Sequence, residues 1–222
     1  MSDQPMLAVI DYGMGNRRSV QKALERVGAV AVITSDADLI RGADGLVIPG
    51  VGAFPRAMAH LRALDLIELI RERATEQIPL LGICLGMQLL FERSVELEPT
   101  EGIGLIPGEV GWLQTGGLRV PHIGWSEVSF VRDSPLTDGL PAAGCPFYHV
   151  HSLAVTPRDE ADVIGTAEYG APFVTFVQHG PIAGVQFHPE KSSADGLRLL
   201  ENFVRACGVA SGRSPRGAAA RA

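Results

Sequence analysis

Three observations predict an α/β protein with a mixed, mainly parallel central sheet flanked by helices and an antiparallel C-terminal half. Over the first ninety or so residues, short apolar runs alternate with segments of helical spacing, the pattern of parallel strands joined by crossover helices. After Phe91, glycine and proline become frequent, and the apolar runs follow one another with close turns between them. A final helical pattern over residues 193–207 sets Leu197, Leu200, Phe203 and Val204 on one side. The second half continues the same sheet, so one domain covers residues 5–208. The Arg/Ala/Ser-rich stretch 209–222 carries no pattern and reads as a disordered tail.

In order, residues 7–10 are a buried first strand that runs into Asp11-Tyr12-Gly13-Met14-Gly15-Asn16. This segment lacks the third glycine of a dinucleotide fingerprint, and no G-K-[ST] follows, so it reads as a turn at an interface. Residues 19–27 put Val20, Ala23, Leu24 and Val27 on one helical face, and Gly28 is the stop signal. Strands follow at 30–33 and 45–48. The latter ends in Pro49-Gly50-Val51-Gly52-Ala53-Phe54. Glycines on both sides of Val51 allow the backbone N–H groups to point outward, as an oxyanion hole requires, although an ordinary strand-to-helix loop has the same composition. Met58, Leu61, Leu64, Leu66, Ile67 and Ile70 mark two helices or one kinked helix, and Pro79 opens the strand at 80–83.

The centre of the chain is residues 80–91, LLGICLGMQLLF: a strand, a tight turn and a helix with Cys84 at the bend. Its G-x-C-x-G spacing is that of a nucleophile elbow, in which small residues two before and two after let the chain turn sharply and expose a reactive side chain. A helix that begins at the thiol favours the thiolate. A cysteine in an apolar run is just as readily a small buried hydrophobe. The second half bears on that choice. Strands are expected at 104–106, 126–131, 148–155 and 173–177. His149 and His151 lie two apart on one face of such a strand, and with no persuasive third ligand they suit a hydrogen-bonded structural role better than a metal site. Residues 182–185 lead into Gln186-Phe187-His188-Pro189-Glu190-Lys191-Ser192. There the His188 and Glu190 side chains point to one side, and Glu190 can hold an imidazole that exchanges a proton with Cys84.

Composition narrows the classes further. The chain has 222 residues, is 46% hydrophobic and carries a net charge of −6, so it suits a compact core and argues against an electrostatic nucleic-acid footprint. Cys84, Cys145 and Cys207 are odd in number and unclustered, which disfavours both a disulfide framework and a zinc site and fits a reducing cytoplasm. No apolar run approaches the ~18 residues of a membrane span, and no charged leader precedes the first strand, so neither export nor embedding is expected.

Taken together, the G-I-C-L-G elbow, the P-G-V-G loop and the V-Q-F-H-P-E run resemble the class I (triad-type) glutamine amidotransferases, in that family's order and over nearly the whole chain to Gly208. The D-Y-G-M-G-N, P-H-I-G-W and F-H-P-E-K-S segments are similar to the branch whose members feed ammonia to a separate (β/α)8-barrel cyclase subunit in histidine biosynthesis. The resemblance implies catalysis by Cys84, His188 and Glu190 on L-glutamine, and an oxyanion hole at Val51, Gly52 and Leu85. It places the amino-acid end of the substrate at Gly50, Gln88, Ser152 and Leu153. Asn16, Trp125, Tyr148 and Lys191 would lie at the cyclase interface and ammonia passage. It implies no metal and no cofactor. Ser126 stands where this branch has Asn, and Leu153 where it often has Tyr; neither position belongs to the triad. The competing readings are a sister amidotransferase with another acceptor, a stand-alone cysteine hydrolase or peptidase, and a non-catalytic binding module.

Overall fold

The computed structural model describes residues 4–212. The first half alternates strands and helices: β1 (Met6–Ile10), α1 (Arg17–Arg26), β2 (Val30–Thr34), α2 (Ala37–Arg41), β3 (Gly45–Gly50), α3 (Phe54–Ala63), α4 (Leu66–Thr75), β4 (Leu80–Cys84) and α5 (Leu85–Leu89). The second half contains β5 (Phe91–Ser94), β6 (Thr100–Glu101), β7 (Ile106–Trp112), β8 (His122–Phe130), β9 (Cys145–His151), β10 (Leu153–Pro157), β11 (Val163–Glu168), β12 (Pro172–His179), β13 (Ile182–Val185) and α6 (Ser193–Ser211). None of the described helices is long and apolar enough to cross a membrane.

Local chemistry sets the helix boundaries. Asp36 caps α2 by accepting from the N–H groups of Asp38 and Leu39. The apolar pattern of residues 58–70 resolves into two helices, because Asp65 adopts a left-handed conformation (φ 53°) between α3 and α4. α1 buries Val20, Ala23 and Leu24, and Val27, its C-terminal cap residue, packs partly buried against the same core.

The main strand order is β2-β1-β3-β4-β13-β12-β10-β7-β5-β6, and β11, β8 and β9 continue from β12. β2, β1, β3, β4 and β13 pair in parallel. Beyond β13 the pairing is antiparallel, apart from β5 beside β7. Helices cover both faces of the parallel part, so its strands are apolar on both sides. Along β1, Leu7 and Val9 join one core with Val20, Leu24, Val47 and Phe203. Ala8 and Ile10 join the other, with Ile40, Leu46, Ile48, Met58 and Ile70.

Three expectations are corrected. Phe91 does not continue the elbow helix: Leu90 closes α5, and Phe91 pairs with Ile106 as the first residue of β5. Residues 148–155 form two strands, because β9 pairs with β8 while β10 pairs with β7 and β12, and the chain passes from one ladder to the other at Ser152. The ordered chain also runs past Gly208. α6 continues to Ser211, whose hydroxyl donates to the Cys207 carbonyl, and Gly212 ends it in the left-handed conformation. The remainder of the expected tail lies outside the described residues.

One contact fixes how closely α5 can pack on β3. A Cβ placed on Gly86 would lie 1.7 Å from the Ile48 carbonyl oxygen, so only glycine fits without a backbone shift. Gly86→Ala is expected to lower the unfolding free energy by roughly 3 kcal/mol or more, measured by urea denaturation. An unchanged midpoint would show that α5 moves freely over β3.

Candidate active site

Parallel strands in register end at one edge of a sheet, and three segments with reactive groups leave this sheet together. Gly50 lies opposite Cys84 in the β3–β4 ladder, and Ile83 lies opposite Val185 in the β4–β13 ladder, just before Gln186 and His188. Cys84 takes φ 56° and ψ −113°, and α5 begins at the next residue. A non-glycine residue at such angles costs on the order of 1–3 kcal/mol and persists because β4 is held on both sides. The bend presents the sulfur beyond the strand end. α5 has only five residues, so the field of a long helix contributes little there.

The sulfur meets three partners. It lies 3.6 Å from the Val150 carbonyl oxygen and 3.7 Å from Nε2 of Gln186, and it is close enough to the His188 side chain to shift that group's pKa. Nδ1 of His188 is 3.0 Å from Oε1 of Glu190, whose side chain is 1% exposed. Three further bonds hold the turn that carries both residues. The His188 N–H donates to the Tyr148 carbonyl at 2.9 Å, Ser192 Oγ donates to the His188 carbonyl at 2.7 Å, and the same Ser192 Oγ accepts the Tyr148 N–H at 3.0 Å. Burial alone would lower the His188 pKa. Interactions in which the ring donates toward Cys84 and Glu190, with the charge of both, overcome burial and raise it to about 9. Oε2 of Glu190 is buried and has no hydrogen-bond partner.

The other two cysteines are chemically quiet. Burial, then the Asp195 and Glu127 carboxylates, push the Cys145 thiol up to about 12, and burial raises that of Cys207 as well.

The loop after β3 is open to solvent. Val51 is 45% exposed, and Gly52 holds φ 105°. Leu85, on the other side of the elbow, is buried. Gln88 is 4% exposed, and its Nε2 donates to Oε1 of Gln186 at 3.0 Å, so it acts on the site through Gln186. The Ser152 carbonyl accepts from the Leu113 N–H, and the Leu153 carbonyl lies 2.8 Å from Nδ1 of His151, so each already has one partner within the fold. Asn16 precedes α1 without a side-chain capping bond. Trp125 faces Tyr148 edge-on at 6.0 Å between ring centroids, and Nζ of Lys191 sits 6.0 Å from the Tyr148 ring centre. These three therefore form one surface group.

Reading the sequence did not single out Gln186 or Ser192. The signal for Gln186 was present, since it lies two residues before His188 on the same extended segment. Ser192 gave none, because its role depends on where β9 passes.

Behind His188 lies a layer of neutral imidazoles. His122 Nδ1 is 3.0 Å from His151 Nε2, His122 Nε2 is 3.0 Å from Ser126 Oγ, and His149 lies between the Phe147 carbonyl and Thr175 Oγ1. All six ring nitrogens of His122, His149 and His151 have protein partners. Burial lowers the pKa values of all three, to about 3 for His149 and about 4 for His151.

Comparison with known proteins shows the family. Residues 8–207 match the family Glutamine amidotransferase class-I. Imidazole glycerol phosphate synthase subunit HisH of Moorella thermoacetica is 52% identical over 197 residues, covering 89% of this chain and 93% of that one. The protein of the same name from Aquifex aeolicus is 48% identical over 198 residues, covering 89% and 95%. Among solved structures, a glutamine amidotransferase superimposes with a TM-score of 0.69 at 21% identity, covering 90% of this chain and 98% of that one. The PurLQS structure from Thermotoga maritima gives 0.70 at 19% identity, covering 91% and 99%. These two show the shared fold.

The neutral histidines predict acid sensitivity. A base whose folded pKa lies below its unfolded value of 6.5 contributes stability above pH 6.5, and that contribution is lost as pH falls toward the folded value. For His149 the loss reaches about 2 kcal/mol by pH 5. Denaturation of the wild-type chain and His149→Gln at pH 7 and pH 5 is expected to show a drop smaller by about that amount in the variant. Equal drops would show that His149 is protonated in the native state.

Proposed function

We propose, from the premise that this chain belongs to the class I glutamine amidotransferases, that it is the glutaminase subunit of an imidazole glycerol phosphate synthase. It hydrolyses L-glutamine to glutamate and ammonia and passes the ammonia to a (β/α)8-barrel cyclase subunit that makes imidazole glycerol phosphate and AICAR. The observation that supports the chemistry is a His188 ring, held by Glu190 at 3.0 Å, whose pKa is raised by the Cys84 side chain beside it. The relatives' shared name supports the assignment within the family.

In the reaction, the Cys84 thiolate attacks the side-chain amide carbon of glutamine, and the carbonyl electrons move onto oxygen. Backbone N–H groups of Val51, Gly52 and Leu85 receive that oxyanion. As the C–N bond breaks, His188 gives its proton to the departing nitrogen, leaving a thioester on Cys84. Water then attacks the thioester, His188 takes a proton from it, and glutamate leaves as the thiol is restored. Glu190 keeps the imidazole oriented and stabilises its charged form. Gly50 and the backbone at Ser152 and Leu153 hold the amino-acid end of the substrate, and Gln88 supports that pocket through its bond to Gln186.

Ammonia released into water at neutral pH becomes protonated and loses its nucleophilicity, so a sealed route to the acceptor preserves it. Asn16, Trp125, Tyr148 and Lys191 surround that route at the cyclase interface. Lys191 lies one residue from Glu190, and Tyr148 is bonded through its backbone to His188, which links the interface to the triad. The reaction needs no metal or cofactor, and the three unpaired thiols suit a cytoplasmic protein.

Two measurements test this reading. Cys84→Ala and His188→Asn are expected to lose on the order of 10³-fold or more in ammonia release with the cyclase subunit present, and Glu190→Gln less. The chain alone is expected to hydrolyse glutamine weakly, with turnover and labelling of Cys84 by a glutamine-like electrophile rising when the cyclase and its nucleotide ligand are added. Full turnover by the isolated chain would contradict the coupling. Retained activity in Cys84→Ala would contradict the mechanism.

A further inference from the structure

We propose that Tyr12 is the positioning residue of the oxyanion loop, clamping both ends of residues 49–53 so that only the Val51 segment between them can turn. The inference rests on the glutaminase reading above and names the group that sets the geometry of its oxyanion donors.

Tyr12 follows β1 and is 1% exposed. Its hydroxyl donates to the Pro49 carbonyl at 2.7 Å, across 37 residues of sequence. That carbonyl belongs to the peptide joining Pro49 to Gly50, the last peptide of β3 before the loop. Rotating it would leave the buried hydroxyl and the carbonyl without each other.

Gly50 is wedged at the same point. A Cβ on it would lie 2.6 Å from the Tyr12 hydroxyl oxygen, 2.8 Å from Cβ of Leu85 and 2.9 Å from the Gly86 nitrogen. The phenol and the start of α5, the helix that follows Cys84, thus both close on Gly50.

The helix into which the loop runs, whose first N–H at Phe54 is bonded at 2.6 Å to Oε2 of Glu96, also meets Tyr12. α3 begins at Phe54, and Nδ1 of its His60 lies 2.9 Å from the Tyr12 carbonyl oxygen. The side chain of one residue therefore holds the start of the loop, and its main chain holds the helix into which the loop runs. Gly15, three residues on, packs along the same peptide: a Cβ there would meet the Pro49 carbonyl carbon and oxygen at 3.2 Å and Cα of Gly50 at 3.3 Å.

A Tyr used only as filler would not need its hydroxyl to meet this one carbonyl. Burial, then the nearby Cys84 charge, raise the phenol pKa, so the hydroxyl remains a donor throughout the working range. Between the two clamps, Val51 is exposed and Gly52 is in the left-handed region, with the flexible end of the Met14 side chain as its close neighbour. Because Tyr12 opens the segment that ends at Asn16, a shift of that segment on partner docking reaches the oxyanion donors directly.

The test is Tyr12→Phe in the complex of the full chain with its cyclase subunit. Three quantities are read: kcat and KM for glutamine hydrolysis, and the rate at which iodoacetamide alkylates Cys84. Alkylation forms a C–S bond as iodide leaves an sp³ carbon and develops no oxyanion, so it reports the triad without the loop. The expected result is kcat lower by roughly tenfold or more, with KM and the alkylation rate within about twofold of wild type. An unchanged kcat, or kcat and alkylation falling together, would overturn the proposal. If Tyr12→Phe does not fold, His60→Ala releases the far clamp from the partly exposed α3 and is expected to give the same split. An unchanged kcat in folded His60→Ala would likewise overturn it. Absence of ammonia release from the wild-type complex would sink the glutaminase reading instead, so the two failures are distinguishable.

Discussion

The site depends on the parallel, in-register pairing of β3, β4 and β13. Parallel strands deliver their C-terminal ends to the same edge, so the segments leaving them emerge side by side without any long loop having to be ordered. Here β3 leads into the Gly50 segment, β4 into the elbow, and β13 into the turn bearing His188 and Glu190. A slip of one residue in either ladder would turn Cys84 or His188 to the opposite face. The burial of alternate β1 residues in two separate cores, Leu7 and Val9 in one and Ala8 and Ile10 in the other, shows how strongly the neighbouring register is specified.

Antiparallel β9 completes the work that the parallel strands begin. It contributes two carbonyls, those of Tyr148 and Val150, which receive the His188 N–H and face the Cys84 sulfur. Ser192 then joins β9 to the turn bearing His188 and Glu190 from both sides. The parallel half thus brings the groups together, and the antiparallel half fixes their orientation. A buried imidazole and carboxylate need such bonds, because an unpaired polar group in that position costs more than a typical hydrogen bond contributes.

Much of this was legible in the sequence, for identifiable reasons. Elbow glycines, a Pro-Gly-x-Gly strand end and a His-Pro-Glu turn are local patterns with local causes, and the strands over residues 7–10, 30–33, 45–48 and 80–83 follow from apolar runs buried on both faces. The features that escaped depended on contacts between distant segments. Phe91 continues a helical pattern, yet its pairing with Ile106 makes it a strand residue. Residues 148–155 look like one strand, yet Ser152 is where the chain changes ladders. Gln88 sits on the elbow helix where a substrate contact is expected, but its amide faces Gln186, 98 residues away. Tyr12 read as part of a turn, since nothing near it in sequence reveals that its hydroxyl meets Pro49.

Four buried histidines in one region show how environment, rather than residue type, assigns chemical roles. His122, His149 and His151 are surrounded by backbone carbonyls, hydroxyls, aromatic rings and one another, with no carboxylate among their hydrogen-bond partners, and burial keeps them neutral. His188 is also buried, but it alone of the four has a carboxylate on one nitrogen and a thiol as its other side-chain partner, and these favour the protonated ring strongly enough to reverse the effect of burial. The neutral layer adds no competing proton donor beside the sulfur, and its two neighbours His149 and His151 would repel a charged His188 if they were themselves protonated. Keeping them neutral is therefore part of what lets His188 carry the proton, which makes the apolar packing of Phe173 and Phe187 around the histidine layer a condition for the acid–base pair in front of it.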